Sequence, residues 1–202
     1  MGIQERKERE KQQLRELIMN TSAQLFRKQG VENTSMRAIA EAIEYSPGTI
    51  YLHFSDKNEL LYEVSVRAFD LFFRNLSPVK EIPDPLERLK QLGEAYITFG
   101  VQYPSYYALM FIMDEPMRCL EDSDWKEGYR NHKILTDIIR DCREEGHFRG
   151  YDLDRLSLMI WAEVHGIVSL HIRDRLNMYG ENDRKQLLMD ALHIFNDALE
   201  NL

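Results

Sequence analysis

Apolar residues recur at helical spacing along most of the chain, and no stretch shows the strict alternation that is typical of a β-strand. In the N-terminal part, an amphipathic pattern from Leu14 is closed by Gly30, a glycine in a typical C-cap position. Three further helices are predicted from caps and periodicity: one capped by Thr34 or Ser35, a short one with Ser46 as cap and Pro47 at its first position, and a long one over residues 57–76.

The rest of the chain predicts only more helices, after three prolines interrupt the pattern between residues 77 and 85. The first four predicted spans are 85–103, 104 to near 116, Ser123 to Gly146, and Asp152 to about Met178. Gly180 is predicted to close the helix that begins at Asp152, and Asn182 or Asp183 is predicted to cap a final helix. The sequence therefore predicts an all-α fold, with a small helical head followed by a larger helical domain.

The short helix after Ser46 has an unusual exposed face. Ile50 and Phe54 lie four residues apart and are predicted to point inward. The residues left towards solvent are small, hydroxylic or aromatic: Pro47, Gly48, Thr49, Tyr51 and His53. A helix-turn-helix uses such an arrangement, since the first turn of its second helix enters the major groove of DNA.

These residues carry a specific resemblance. The segment from about residue 12 to 62 resembles the DNA-binding domain of the TetR family of transcriptional regulators, through Phe26, Gly30, Ile39-Ala40, Ser46-Pro47-Gly48-Thr49-Ile50-Tyr51, His53-Phe54, Lys57 and Leu60-Leu61. The resemblance implies a three-helix DNA-binding head over residues 1–57 and a helical effector-binding and dimerisation domain over 58–202. It also implies a homodimeric bacterial repressor that a small molecule releases from its DNA operator.

The same resemblance implies roles for individual side chains. Arg37, with Pro47, Gly48 and Thr49, is expected to face base edges, and Arg37 is the strongest candidate for a two-pronged contact with guanine. The remaining members of the expected DNA-binding set, which contact phosphates or fix the short helix, are Ser35, Ser46, Tyr51, His53 and Lys57.

The head departs from the family pattern at two positions. Glu44 stands where the family usually has glycine, at a turn whose backbone tends to be left-handed; a side chain there costs on the order of 1 kcal/mol, unless the turn changes shape. Ala38 stands where many relatives have an acid that completes a capping box. Neither change removes a side chain that is expected to face DNA.

A second resemblance lies near the C-terminus. Trp161, His165 and Gly166 resemble the Trp-x-x-x-His-Gly signature of one group of TetR-type C-terminal domains. In the family, the last two long helices pair with their copies in a dimer. The expected dimer interface is Val164, Gly166, Val168, Leu187, Leu192, Phe195 and Leu199, which are too apolar for the surface of a small monomer.

Residues 96–117 are rich in aromatic side chains and methionine, which suits either a pocket for a large, mainly apolar ligand or an ordinary core. For the region as a whole, the family resemblance favours a pocket. The expected lining set is Tyr103, Tyr107, Phe111, Trp161 and His165.

The net charge of −8 at first argues against a DNA-binding protein. The acidic excess lies outside the head, because residues 1–57 hold nine Lys and Arg against eight Asp and Glu. Counterion release depends on positive charge at the phosphates and not on the whole chain. Arg6, Lys7, Arg9 and Lys11 form either a basic arm on DNA or a solvated extension of the first helix, and the interleaved glutamates favour the extension.

Other classes of function lack their signatures. The sequence has no His-Glu-x-x-His, no Cys-x-x-Cys and no glycine-rich phosphate loop, so neither an enzyme nor a cofactor is expected. Cys119 and Cys142 indicate buried thiols and not a disulfide framework. The chain has no membrane-spanning run or signal peptide, which predicts a cytoplasmic protein. Two alternatives stay open: a metal-sensing regulator on the same scaffold, and a helical dimeric interaction module that does not bind DNA.

Overall fold

The computed structural model describes residues 2–116, 126–179 and 184–202, and these residues form helices and no strand. The all-α prediction is therefore confirmed. The α-helices are α1 (Ile3–Gln29), α2 (Met36–Ala42), α3 (Pro47–Tyr51), α4 (Lys57–Leu76), α5 (Pro85–Gln102), α6 (Pro104–Phe111), α7 (Lys126–Glu144), α8 (Leu153–Ile172) and α9 (Arg184–Glu200), with short 3-10 helices at Ser77–Glu81 and Asn177–Tyr179.

Several predicted boundaries lie outside the described residues. They are the predicted cap Ser123, the predicted terminator Gly180 and the alternative caps Asn182 and Asp183, and the same holds for Cys119.

The first helix is longer than its amphipathic pattern. It begins at Ile3, so the basic segment before Leu14 is a helical extension of α1, and Arg6 pairs there with Glu10 at 2.7 Å. This extension has almost no apolar face to bury, and its contact with DNA stays a prediction.

Helix α8 is shorter than predicted, since it ends at Ile172 and not near Met178. Asp174 adopts a left-handed backbone with φ of 52°, and the amide of Arg175 donates to the carbonyl of Leu170 at 2.9 Å. This closure resembles the usual left-handed helix ending but uses a residue other than glycine, so no residue type marks the end of α8 in the sequence.

The chain packs as two compact units, which are described separately. The first contains residues 1–68 and 105–125, so within its described part α1, α2, α3 and the N-terminal half of α4 pack together with α6. Its core is built from side chains that include Phe26, Ile39, Ile50, Phe54 and Leu61.

The second unit contains residues 69–104 and 126–202. Helix α5 is central to it and packs against α7, α8 and α9. At Gly93 of α5 an added Cβ would lie only 3.0 Å from a methyl of Leu192, so the absence of a side chain lets α9 approach closely. The predicted division at residues 57/58 separates two functions and stays a prediction.

Candidate nucleic-acid interface and ligand site

Two serine caps define the helices of the head that correspond to the predicted helix-turn-helix. Ser35 begins α2, and its side chain accepts from the amide of Ala38 at 3.1 Å. Thr34, the alternative cap, is buried and donates to the carbonyl of Gly30. Ser46 begins α3, where it accepts from the amide of Thr49, and Pro47 occupies the first turn as predicted.

Helix α3, here called the recognition helix, buries Ile50 completely and leaves its other side open. Pro47, Gly48 and Tyr51 are exposed, whereas Thr49 is half-buried with its hydroxyl 2.9 Å from that of Ser46. A helix of five residues has little stability of its own. Its position is therefore set by Ile50, by Phe54 and by the contacts made at its two ends.

The turn between α2 and α3 keeps the left-handed shape that the family pattern implies. Glu44 has φ of 60°, and the amide of Tyr45 closes the turn by donating to the carbonyl of Ala40 at 2.9 Å. The turn therefore does not change shape to accommodate Glu44. It keeps its left-handed conformation with a glutamate in the strained position.

Arg37 lies on the exposed side of α2. Its Nε is 3.2 Å from a carboxylate oxygen of Glu41, one turn along the helix, and both side chains are largely in solvent. This pairing leaves the guanidinium accessible from outside.

Arg15 of α1, which no sequence pattern singles out, connects α1 to the end of the recognition helix and to α4. Its Nη1 donates to the carbonyl of His53 at 2.9 Å, and its Nη2 lies 3.1 Å from the carboxylate of Glu63 on α4. The guanidinium also lies over the ring of Phe54, 4.3 Å from the centroid. Arg15 therefore fixes the C-terminal end of the recognition helix. No motif carried this signal, because the contact joins residues 38 positions apart.

His53 follows the recognition helix and is half-buried. Burial, and then the positive charges of Arg15 and Lys11, hold its pKa below the usual value, which favours the neutral imidazole. Its Nδ1 is buried and makes no hydrogen bond to a described residue. A phosphate contact from this side chain would use the N–H of a neutral ring.

Lys57 has a structural partner that the sequence did not predict. Its Nζ donates to the carbonyl of Val31 at 2.8 Å and lies 3.5 Å from that of Glu32, which ties the start of α4 to the loop between α1 and α2. Its expected phosphate contact stays a prediction, and its removal would also disturb the head.

In the second unit, aromatic side chains form a connected series. The indole N–H of Trp161 donates to the hydroxyl of Tyr96 at 3.0 Å, and the ring of Trp161 lies 6.1 Å from that of His165. Tyr96 packs edge-on against Phe72, whose ring also contacts Phe99. The series continues through Phe99 to Tyr103, with ring centroids 5.2 Å apart.

The five expected lining residues are thus divided between the units. Tyr103, Trp161 and His165 belong to the second unit and are half-buried. Tyr107 and Phe111 belong to the first, with rings 5.0 Å apart, and Tyr107 is fully buried. Tyr96 and Phe72 were not in the expected set, although both lie at the centre of the aromatic series. Burial lowers the pKa of His165, which favours a neutral ring beside Ser169.

The expected dimer interface needs a correction. Val164, Val168, Leu192 and Leu199 are all buried within a single chain and therefore have no surface to offer a partner. The sequence argument chose the larger apolar side chains, which are the ones that the chain uses for its own core. Of the other expected residues, Gly166, Leu187 and Phe195 are half-buried.

Other apolar positions of the last two helices are exposed. On α8 an exposed stripe contains Leu158, Met159, Ala162 and Leu170, and an added Cβ at Gly166 would meet nothing within 4 Å. On α9, Ile194 is 71% exposed and Ala198 is also exposed. These six residues are called the α8–α9 stripe below.

Other candidate chemistry is limited in the described part of the chain. No three His, Cys, Asp or Glu side chains among the described residues come together as a metal site would require. Cys142 is buried, and desolvation raises the pKa of its thiol to about 12, which makes it unreactive. No described helix is long and apolar enough to cross a membrane.

Comparison with known proteins supports the same two-part organisation. Residues 18–64 match the family model for bacterial regulatory proteins of the tetR family, and residues 89–195 match the model for the tetracyclin repressor-like C-terminal domain. The second match alone covers more than half of the chain.

Individual relatives agree at the level of the head or of the fold. An HTH-type transcriptional regulator of Staphylococcus aureus (strain USA300) is 39% identical over 67 residues, which are 33% of this chain and 36% of the relative. Ketosteroid transcriptional regulator KstR2 of Mycobacterium tuberculosis has a similar structure, with a TM-score of 0.75 at 22% identity over 92% of this chain and 94% of that one. Fatty acid degradation regulator FadR from Bacillus halodurans gives 0.72 at 18% identity, over 89% and 93%.

The aligned segment spans about a third of the Staphylococcus relative, and the identities to the solved structures are low enough that those likenesses show only the fold. The family models, in contrast, match both the head with its capped recognition helix and most of the helical domain. This chain therefore belongs to the TetR family of bacterial transcriptional regulators and carries that family's helix-turn-helix head.

Proposed function

We propose that this protein is a ligand-responsive repressor that binds operator DNA as a homodimer in the bacterial cytoplasm and is released by a small, largely apolar effector. The observation that carries the DNA-binding part is the recognition helix itself. Its inner side is held by Ile50, Phe54 and Arg15, while Pro47 and Gly48 leave its first turn open for a groove.

Specificity in this proposal comes mainly from Arg37. Its planar guanidinium can contact guanine O6 and N7 together, whereas Ser35, Tyr51 and His53 hold phosphates and set the register. Pro47, Gly48 and Thr49 contribute close approach and shape.

The DNA-binding part is tested by selecting an operator from random duplexes and comparing Arg37→Ala and Arg37→Lys on operator and scrambled DNA. Both variants should lose about 1–3 kcal/mol on the operator. The lysine variant should bind scrambled DNA as wild type does, because it keeps the charge. A loss of the same factor on both duplexes by Arg37→Ala would show that Arg37 contacts a phosphate and reads no base.

The effector part is supported by the aromatic series of the second unit. Tyr103, Trp161 and His165 are half-buried: Tyr103 lies beside the buried ring of Phe99, and Trp161 connects Tyr96 with His165. Apolar ligands suit such surroundings, and the tyrosine hydroxyls supply a few orienting groups. Two proteins of similar fold are a fatty acid degradation regulator and a ketosteroid transcriptional regulator. Both names refer to largely apolar compounds, which supports an apolar effector for this protein. The contact of Trp161 with His165 is compatible with the predicted Trp-His-Gly group.

The effector is found by a thermal-shift screen of fatty acyl, steroid and aromatic compounds and is then titrated with and without operator DNA. A ligand that releases DNA must bind more weakly to the DNA complex by the factor by which it weakens DNA binding, typically about 5–150-fold. Equal ligand affinity in both titrations would refute effector-controlled release.

The dimer in this proposal uses the α8–α9 stripe. Ala162 of the stripe and Gly166, one turn further along α8, allow a partner backbone to approach closely, and Leu158, Leu170 and Ile194 supply apolar area around them. A two-fold axis through this face would give two recognition helices for two half-sites.

A further inference from the structure

Helix α6 belongs to the compact unit of the DNA-binding head, although the C-terminal family model covers it. Tyr106 makes the polar contact that secures it there. Its hydroxyl donates to Oδ1 of Asn20 on α1 at 2.6 Å and accepts from Nε of Arg67 on α4 at 3.2 Å. Arg67 in turn lies 3.6 Å from Glu16 of α1. One buried tyrosine thus joins three helices.

The same stretch of α1 holds the recognition helix at its other end. Arg15 donates to the carbonyl of His53 and covers the ring of Phe54. Arg15 and Asn20 are five residues apart, or roughly 7.5 Å along the helix axis at about 1.5 Å per residue. Helix α1 is continuous through this stretch, so a displacement at Asn20 moves Arg15 with it.

We propose that residues 15–20 of α1 couple α6 to the recognition helix, with the hydroxyl of Tyr106 as the positioning group. This inference rests on the proposed function in one respect: the coupling matters for regulation only if the head reads DNA. It gives Tyr106 and Arg15 positioning roles at the two ends of one stretch of α1, which reaches the carbonyl of His53.

Three observations favour coupling over simple packing. Tyr106 is buried, so the loss of its hydroxyl leaves Asn20 and Arg67 without the group that joins them. Five consecutive residues of α6, 106–110, are buried, which prevents the helix from sliding without its neighbours. Finally, Arg15 contacts the backbone carbonyl of His53, which directly follows the recognition helix, and not a remote surface group.

The first test is hydrogen exchange on the free protein. Tyr106→Phe removes the hydroxyl and keeps the ring, and Tyr62→Phe removes an exposed hydroxyl from α4 of the same unit as a matched control. The amides of His53 and Phe54, which donate to the carbonyl of Ile50, should exchange about twofold to tenfold faster in Tyr106→Phe than in wild type. In Tyr62→Phe their exchange rates should equal those of wild type. Faster exchange confined to α1 and α6, with residues 47–54 unchanged, would overturn the proposal.

The second test asks whether the two ends act as a unit. Asn20→Ala, at an exposed position that tolerates the change, should reproduce the effect of Tyr106→Phe, and the double variant should show no further effect. Arg15→Met removes the contact with His53. Adding Tyr106→Phe to this variant should then leave the amide exchange rates of residues 47–54 the same as in Arg15→Met alone. If the effects multiply in either pair, the groups act separately and the coupling is wrong.

The consequence for DNA is measured on the selected operator, where Tyr106→Phe should bind about twofold to tenfold more weakly and Tyr62→Phe as wild type. Equal affinity of Tyr106→Phe and wild type would overturn the regulatory meaning of the coupling. Should wild type itself bind no duplex, the proposed function fails, and the exchange experiments still decide whether α1 couples α6 to α3.

Discussion

Replacing Glu44 by glycine tests whether the turn between α2 and α3 is strained. Glu44 has φ of 60°, in the left-handed region, and two turn hydrogen bonds hold it there: its own amide donates to Glu41, and that of Tyr45 donates to Ala40. Glycine adopts this conformation without a clash between Cβ and the backbone. The substitution should therefore stabilise the folded head without changing its shape.

The magnitude follows from two opposing effects. A left-handed conformation costs an L-residue roughly 1–2 kcal/mol, which glycine recovers. Glycine also gives the unfolded chain more freedom, which offsets about 0.4–1 kcal/mol of that gain. The net stabilisation should be about 0.8 kcal/mol, the midpoint of a range of roughly 0–1.6 kcal/mol. For a chain of this size, 1 kcal/mol corresponds to a Tm change of about 2–4 °C.

The assay compares Tm and the urea midpoint of wild type, Glu44→Gly and Glu44→Ala. Alanine removes the carboxylate but keeps Cβ, so it reports the effect of charge alone and should lie within about 0.5 kcal/mol of wild type. Glu44→Gly should be the most stable of the three. If the glycine variant is no more stable than the alanine variant, the turn is not strained, and the cost assigned to its left-handed glutamate is wrong.

Two further predictions concern the second unit. Ile194→Glu, in the α8–α9 stripe, should convert a dimer into monomers in analytical ultracentrifugation. The control Met178→Glu, at a position that is 80% exposed and outside the stripe, should leave the dimer intact. If Ile194→Glu is still a dimer, the stripe is not the dimer interface. Burial lowers the pKa of His165, so the unfolded state takes up its proton first as the pH falls below about 6.5, and unfolding free energy should decrease there. His165→Gln should make the unfolding free energy, measured by urea titration, fall less between about pH 7.5 and 5. His53 also has a lowered pKa, so part of the decrease should remain in this variant. If the pH dependence of the unfolding free energy is the same in His165→Gln and wild type, the lowered pKa of His165 is contradicted.

The head could be predicted closely because its signals are local. Ser35 and Ser46 cap the helices that follow them, Pro47 occupies a first turn, and each signal acts within a few residues of its helix. The left-handed turn at Glu44 was also predictable, although only through the family pattern, since glutamate itself gives no sign of positive φ.

The contacts between helices could not be predicted in the same way. Arg15, Lys57 and Tyr106 join residues that are 26 to 86 positions apart. A sequence pattern shows that such side chains are polar or aromatic, but not which carbonyl or amide they meet. Lys57 illustrates the consequence, because a family pattern points to a phosphate while the fold provides a carbonyl partner as well.

The side of α8 and α9 that a partner would use is hard to predict for a different reason. Helices α8 and α9 are apolar on more than one side, so hydrophobicity alone does not separate the side that faces the chain's own core from the side that faces outward. Leu192 and Leu199 are larger than Ala198 and attract attention in the sequence, yet they are buried, and Ala198 is exposed. The packing of α5 and α8 against α9 determines which side remains open.

The pairing of Arg37 with Glu41 bears directly on how the head would discriminate between sequences. An exposed ion pair of this kind is worth roughly 0.2–1 kcal/mol, whereas a two-pronged arginine contact with guanine is worth about 1–3 kcal/mol. Exchange of the carboxylate for a guanine edge is therefore favourable, and exchange for a base that lacks both acceptors is not. In the proposed role of Arg37 as a base-reading residue, Glu41 would compete with weak or mismatched contacts, so this acid would add to specificity at a small cost in affinity.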